Sequence, residues 1–325
     1  MSERFLITGA LGCIGAWAVR ALVDEGVPVT IFDVGGSDHR LRLIMDDAAR
    51  AQVRFVQGDI IDLAALERVL GEHAISHIVH LAALQVPFCK ADPSLGARVN
   101  VVGTVNVFEA AKRAGIHHVV YASSVAVYGR KEEYELGALP HDAPLHPHTH
   151  YGVYKQANEG TARIYWGDDN ISSIGLRPYT IYGPGRDQGM TSSPTRAMVA
   201  ATVGQPFHIP FGGSQGLQYA RDVAAIFIRA ARTPIAGAEV YNLRGSVVTM
   251  EEVVAAIEAA EPTARGTITF SDALLPFPEE LDDTPLRVLF GTVPETPFAD
   301  GVAESMALFR QALAEGRMDA GQYLG

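Results

Sequence analysis

The sequence predicts a doubly wound parallel α/β fold carrying a smaller, mixed α/β portion at its C-terminal end. Three observations lead there. Through the first half, short runs that are apolar on nearly every residue alternate with stretches of helical periodicity, the pattern of strands covered on both faces. A glycine-rich turn, Thr8-Gly9-Ala10-Leu11-Gly12-Cys13-Ile14-Gly15, stands between the first apolar run and the first helix. After Pro178 the texture shifts to a segment rich in Gly, Pro, Ser and Thr. With 325 residues, 48% apolar and 19% charged, the chain can bury a large core, and disordered and coiled-coil classes are excluded.

The elements follow in order. Phe5 to Thr8 forms the first strand, ended by Gly9. The first helix runs through Trp17, Val19, Leu22 and Val23 and stops at Gly26, ahead of a second strand over Val27 to Phe32. Val53 to Val56 is the third strand, Leu63 to Leu70 a helix, and His77 to Leu81 the fourth strand. A longer helix after Pro93 carries Val99, Val102, Val105, Val107 and Phe108 and ends at Ala114-Gly115. Val119 to Ser124 is the fifth strand, Tyr151 to Trp166 a helix and Ile171 to Leu176 the sixth strand. Residues 1–177 therefore read as a dinucleotide-binding unit. Residues 178–325, with helices near Arg196–Val203, Asp222–Ala231 and Met250–Ala260, read as a substrate-binding portion with segments returning to the sheet. No internal repeat supports a solenoid.

Charge and cysteines narrow the partners. The net charge of −11, with basic residues scattered, argues against nucleic acid, since no basic face is available to neutralise phosphates. No apolar run approaches the length of a membrane span, and Met1 to Ala10 lacks the features of a signal peptide, so no membrane partner and a cytoplasmic setting are expected. Cys13 and Cys89 lie far apart without Cys-x-x-Cys partners and read as small buried hydrophobes.

Two motifs carry chemistry. In the glycine turn, Gly9 permits a tight bend, Gly12 lets backbone approach a pyrophosphate, and Gly15 lets the helix pack closely; the backbone from Gly12 through Cys13 and Ile14 opens the helix, whose free N–H groups favour an anion. Asp33 ends the second strand, where a carboxylate accepts hydrogen bonds from an adenosine ribose and repels a 2′-phosphate. This favours NAD over NADP, although Arg40 and Arg42 leave a 2′-phosphate reader in play. Asp59, with Ile60, stands after the third strand as an adenine contact or, equally, a helix cap. The second motif is Tyr151-x-x-x-Lys155, one helical turn apart, which sets an ammonium beside a phenol and lowers its pKa toward a working range.

Together with these, His80-Leu81-Ala82-Ala83, Asn100-x-x-Gly103-Thr104-x-Asn106, Ser123-Ser124-x-x-Val127-Tyr128-Gly129 and Leu176-Arg177-Pro178 leading to Tyr182-Gly183-Pro184 occur in one order from about residue 4 to 186. In this the chain resembles the extended short-chain dehydrogenase/reductase superfamily, in its NAD-dependent epimerase/dehydratase branch with a Rossmann domain. The resemblance implies Tyr151 as catalytic acid/base, Lys155 on the nicotinamide ribose and Ser124 on the reacting oxygen. It also implies Leu81, Ala82, Ala83 and Pro178 along the cofactor, with Asn100 holding backbone there. Val125, His150, Tyr179, Thr180, Arg186 and Gln215 are the expected substrate contacts, and homodimerisation is implied through the helices bearing Tyr151 and Asn100–Ala114.

Departures from the family pattern narrow the substrate. Dehydratases carry Thr-Asp-Glu where this chain has Ser124-Val125-Ala126, so dehydration is disfavoured. Nucleotide-sugar members carry Asn at Thr180 and a diphosphate-binding Arg at Gln215, and a neutral amide does not replace a guanidinium. Arg177, Arg186, Arg196 and Arg221 are the alternative cations. His141, His146, His148 and His150 precede Tyr151; three on one face of an extended segment suggest metal, but the prolines between them and the lack of a completing ligand favour a substrate-facing loop, and no metal is expected. The expectation is NAD-dependent hydride transfer at a secondary hydroxyl of a sugar, sugar acid or related small polyol. Net dehydrogenation is favoured; the alternatives are an epimerase with tightly held NAD and, remotely, a non-catalytic NAD sensor.

Overall fold

The computed structural model describes residues 3–135 and 137–325. Strand β1 (Phe5–Thr8) leads through the glycine turn into helix α1 (Cys13–Asp24), which buries Trp17, Val19, Leu22 and Val23. Gly26, at a left-handed φ of 70°, turns the chain into β2 (Val29–Asp33). Short helices α2 (His39–Ile44) and α3 (Asp47–Arg50) precede β3 (Arg54–Gln57), and α4 (Leu63–Glu72) precedes β4 (His77–His80).

The long helix expected after Pro93 runs unbroken to Ala114, with a π segment inside it and a short separate helix before it. Helices α5 (Val86–Ala91) and α6 (Pro93–Ala97) lead through a π-turn over Arg98–Val102 into α7 (Gly103–Ala114). The wider turn rotates the apolar stripe, so Val102 lies exposed, while Val107, Phe108, Ala110 and Ala111 enter the core. Asn100, inside that turn, is buried among the polar groups that hold it.

Strand β5 (His118–Ala122) is followed by a 3₁₀ turn over Val125–Val127, helix α8 (His150–Asp169) and strand β6 (Ser172–Arg177). Beyond Pro178 come β7 (Thr180–Tyr182), α9 (Ser193–Thr202), β8 (Phe207–Ile209), β9 (Ser214–Tyr219), α10 (Ala220–Ala231), β10 (Ala238–Asn242), β11 (Ser246–Thr249), α11 (Met250–Ala260) and β12 (Ile268–Phe270). Helices α12 (Thr284–Phe290), α13 (Phe298–Ala314) and α14 (Gly321–Leu324) close the chain.

Seven strands form one parallel sheet in the order β10-β6-β5-β4-β1-β2-β3. Alternate residues feed two cores: Phe5, Ile7, Val79 and Val120 face the side covered by α1 and α10, and Leu6, Ile78, Val119 and Tyr121 face α4, α7 and α8. This two-sided burial is why the strands read as continuous apolar runs. Strand β3 departs from it: as the sheet edge it leaves Phe55 48% exposed. The C-terminal portion returns strand β10 to the sheet, parallel to β6, and builds a three-stranded sheet β11-β9-β7 and a pair β12-β8. The strand order reverses direction between β1 and β4, the position where such sheets open a crevice at their carboxyl ends.

Candidate active site

A cavity of about 640 Å³ opens at that crevice, and its walls are the segments that follow the strands: Gly9 to Gly15 after β1, Asp33 and Val34 after β2, Gly58 to Ile60 after β3 and Leu81 to Leu84 after β4. Ser123 to Ala126 follow β5, and Pro178 to Ile181 follow β6. Of the residues expected to hold the cofactor, Gly9, Gly12, Cys13, Ile14, Gly15, Asp33, Asp59, Ile60, Leu81, Ala82, Ala83, Tyr151, Lys155 and Pro178 all line it. Asn100 does not. Its amide is turned to the backbone of Leu84, accepting from the N–H at 2.7 Å and donating to the carbonyl at 2.9 Å, so it shapes the wall from behind.

The glycines are required by close approach. A Cβ on Gly9 would stand 2.6 Å from the backbone of Ala82, and one on Gly15 would stand 2.5 Å from Ala10 Cα. Helix α1 has no side-chain cap at Gly12 and no acidic residue in its first turn, so its N–H groups face the cavity without a resident partner. Asp33 accepts from Leu11 N at 3.1 Å. Burial raises its pKa, and the backbone N–H groups of Leu11, Val34 and Gly35 work against that rise. A dinucleotide fits this cradle: amides for a pyrophosphate, a carboxylate for a ribose.

Arg40 is not free to read a 2′-phosphate. Its guanidinium donates to Leu11 O at 2.8 Å and Gly185 O at 3.0 Å and pairs with Asp187 at 2.6 Å. Arg42 pairs with Asp38 and lies outside the cavity. The strap these contacts anchor has no signature of its landing place in the sequence. Residues 183–191 form this strap, whose Arg186 and Gln188 to Thr191 line the cavity, tied by Trp17 Nε1 to Pro184 O at 2.9 Å, by His39 Nε2 to Asp187, and by Gly185 N to the Tyr323 hydroxyl at 2.9 Å. The glycines of the strap marked a loop, but nothing local told where it would land.

At the other end of the cavity, Ser124, Tyr151 and Lys155 converge. Thr149 caps α8, its side chain accepting from Gly152 N. Gly152 then lets the helix approach the turn after β5, since a Cβ there would collide with Ala126 O. This brings Tyr151 onto the same stretch of cavity wall as Ser124. Lys155 is buried, donates to Ala122 O at 2.6 Å and lies 5.6 Å from the centre of the Tyr151 ring.

The electrostatics correct one expectation. Burial raises the pKa of Tyr151, and the groups acting to lower it are Ser124, by hydrogen bond, and the Arg186 charge, not Lys155. Lys155 is itself pushed down to about 8 by burial. Lys155 therefore gives up its proton below the pH at which Tyr151 ionises, and Arg186, which also lines the cavity, is the cation left beside the phenolate. The Cys13 thiol is pushed up to about 12, chiefly by burial, and is not a nucleophile.

Ser123 faces away from the cavity's chemistry, donating to Glu159, which forms a buried pair with Arg177 at 2.7 Å. Of the four arginines weighed as diphosphate binders, Arg177 is held there, Arg196 donates to Tyr323 O, and Arg221 pairs with Glu304. Arg186 alone of the four lines the cavity, beside Val125, Tyr179 and Thr180. Gln215 lies behind the wall, accepting from Thr180 Oγ1 at 2.8 Å, and borders only a small adjoining cavity. His150 is also displaced from its expected role: it is the exposed first residue of α8, stacked on Tyr154. His148 pairs with Glu133 at 2.6 Å. Among the described residues no group of three His, Cys, Asp or Glu side chains could hold a metal ion, and no helix is long and apolar enough to cross a membrane. Phe277 and Met190, which also line the cavity, were not singled out from sequence; each comes from a distant loop without a motif.

Comparison with known proteins gives a consistent picture. Residues 5–243 match the NAD dependent epimerase/dehydratase family. A UDP-glucose 4-epimerase of Mycolicibacterium smegmatis is 31% identical, over 94% of this chain and 98% of that one. Among solved structures, MoeE5 in complex with UDP-glucose and NAD is 28% identical with a TM-score of 0.79, covering 96% of this chain and 100% of that one. The UDP-glucose 4-epimerase of Thermus thermophilus complexed with NAD is 26% identical with a TM-score of 0.79, covering 95% and 100%. With the family matched over most of its length and the dinucleotide cradle intact, the chain belongs to the NAD dependent epimerase/dehydratase family and is an NAD-dependent enzyme of the extended short-chain dehydrogenase/reductase type.

Proposed function

We propose that the enzyme oxidises a secondary hydroxyl of a sugar-like polyol, with Tyr151 as the base that takes the hydroxyl proton and Ser124 as the group that holds the reacting oxygen. The observation that carries this reading is the convergence of Ser124, Tyr151 and Lys155 on the wall of the cavity that begins at the glycine cradle. NAD, held by Gly9 to Gly15 and Asp33, supplies the hydride acceptor. Lys155 stands one turn from Tyr151 with its ammonium turned into the cavity wall, placed to orient the ribose side of the cofactor. Tyr179 and Phe277, ring to edge at 6.3 Å, offer an apolar face for the carbon skeleton of the substrate.

A second reading, in which the hydride returns to the opposite face of the same carbon, is supported by the strap. A cavity-lining loop tied to α1, to α2 and to Tyr323 of α14 would retain a bound dinucleotide, as suits a cofactor regenerated in every cycle. The epimerase activity named for the Mycolicibacterium relative points the same way. The test is to incubate the NAD-loaded enzyme with a panel of polyols, following the absorbance of reduced cofactor and the stereochemistry of the recovered compound. Stoichiometric NADH marks net dehydrogenation, inversion without NADH marks epimerisation, and neither outcome with any polyol sinks both readings.

The enzyme is further proposed to be a cytoplasmic homodimer. Val153, Ala157, Gly160 and Ile164 recur at helical spacing along α8, with Val153 and Ile164 exposed, and the small residues between them suit close approach by a second helix. Sedimentation of the Ile164→Glu variant as a monomer, with the parent as a dimer, checks this.

A further inference from the structure

Arg186 stands apart from the other cations of the cavity. Arg40 is matched by Asp187, and Lys155 donates to the backbone of Ala122. The Arg186 guanidinium donates to Thr191 Oγ1 at 3.1 Å, its buried Nε has no hydrogen-bond partner, and among the described residues it makes no ion pair. Its sequence neighbour Asp187 is taken by His39 and Arg40. Glycines at 185 and 189, both at left-handed φ, flank it, and the strap they form turns its side chain in beside Tyr151. A half-buried guanidinium whose Nε is shut off from water, with no counter-charge, is costly unless the site is completed by an anion, and a carboxylate matches its fork of donors.

We propose that Arg186 is the specificity-determining anion site of this cavity, and that the substrate bears a carboxylate near the hydroxyl that Tyr151 deprotonates: a sugar acid or other polyhydroxy carboxylate. The proposal rests on the hydride-transfer reading and adds the chemical class of the substrate to it. The surroundings favour a single carboxylate over a nucleotide diphosphate, which would need a cluster of cations. Gln215 lies behind the wall, and Arg177, Arg196 and Arg221 are engaged elsewhere. The same guanidinium acts electrostatically on Cys13, at the start of α1, so a phosphate of the dinucleotide is the other anion it could meet.

The experiment separates the two. NAD-saturated enzyme is titrated in thermal-shift assays with aldonates and uronates of four to six carbons, each against its neutral counterpart, such as gluconate against glucitol and galacturonate against galactose, with UDP and UDP-glucose alongside. NAD affinity is measured separately for the parent, Arg186→Gln and Arg186→Lys. The expected result is stabilisation by one or more acids and not by the neutral partners, weakened roughly tenfold or more in Arg186→Gln and partly restored in Arg186→Lys, with NAD affinity held within about threefold. NAD affinity also reports that the variants fold. Equal binding of neutral partners, binding confined to UDP compounds, no shift from any acid, or a loss of NAD affinity in Arg186→Gln that spares acid binding would each overturn the proposal. Turnover of neutral polyols alone would remove it and leave hydride transfer standing. Acids that bind through Arg186 but are neither oxidised nor inverted would leave the anion site standing and remove the hydride reading.

Discussion

The two ends of the cavity are built by different means. At the dinucleotide end the working groups are mainly backbone, the amides of α1 and the glycines that let them approach, joined by one side chain, the carboxylate of Asp33 braced by Leu11 N. At the reacting end they are side chains from separate segments, with Ser124 after β5, Tyr151 and Lys155 on α8 and Arg186 on the strap. Damage to the first end should therefore appear as lost stability and cofactor affinity, and damage to the second as lost turnover in an intact fold.

The largest expected effect tests the first half of that statement. His80 sits buried at the end of β4, between the hydroxyls of Thr8 at 2.7 Å and Thr104 at 3.0 Å, and burial lowers its pKa from 6.5 to about 3. The fold keeps it neutral where the unfolded chain takes up a proton. Its contribution is complete above pH 6.5 and is lost progressively as the pH falls toward 3. The loss amounts to about 5 kcal/mol over that window. Denaturant titrations from neutral to acid pH should show it, with a shallower acid limb in His80→Gln; a limb unchanged by the substitution would assign the acid sensitivity to other groups.

Tyr151→Phe tests the second half. Turnover should fall by roughly a thousandfold, while NAD affinity and melting temperature stay near those of the parent. Loss of folding in this variant would erase the distinction between the two ends. Gly15→Ala belongs to the backbone end: the added methyl meets the backbone of Ala10 and Gly9 and should destabilise by about 1–3 kcal/mol, with weakened NAD binding. An unaltered melting temperature would show that the cradle yields.

The smallest effect joins the two ends. Because the Arg186 charge lowers the Tyr151 pKa, Arg186→Gln should move the rising alkaline limb of the oxidation rate to higher pH, and Arg186→Lys should hold it closer to the parent. A shift of the limb with Lys155 substitutions but none with Arg186→Gln would return that role to Lys155.

What sequence could and could not show divides along the same line. The strand-helix alternation, the glycine turn, Asp33, and the Tyr151 and Lys155 pair are each legible because their geometry is local: a turn, a helix start, one helical turn. Ser124 was distinguishable from Ser123 by its place in a motif, and the fold separates them physically, sending Ser123 to Glu159. Asn100, expected to hold backbone at the cofactor, bonds the backbone of Leu84 from behind the cavity wall without lining it; Gln215 follows from register alone, and the fold uses it to hold Thr180.

The sequence by itself determined the doubly wound sheet and the dinucleotide cradle, since both follow from periodicity and from positions only glycine can occupy. Tertiary structure alone decided where the 183–191 strap lands, which arginine stays unmatched and which histidines are excluded from the cavity. Those outcomes depend on contacts between residues more than a hundred positions apart, such as Arg40 with Asp187 and Gly185 with Tyr323, and no local pattern encodes them.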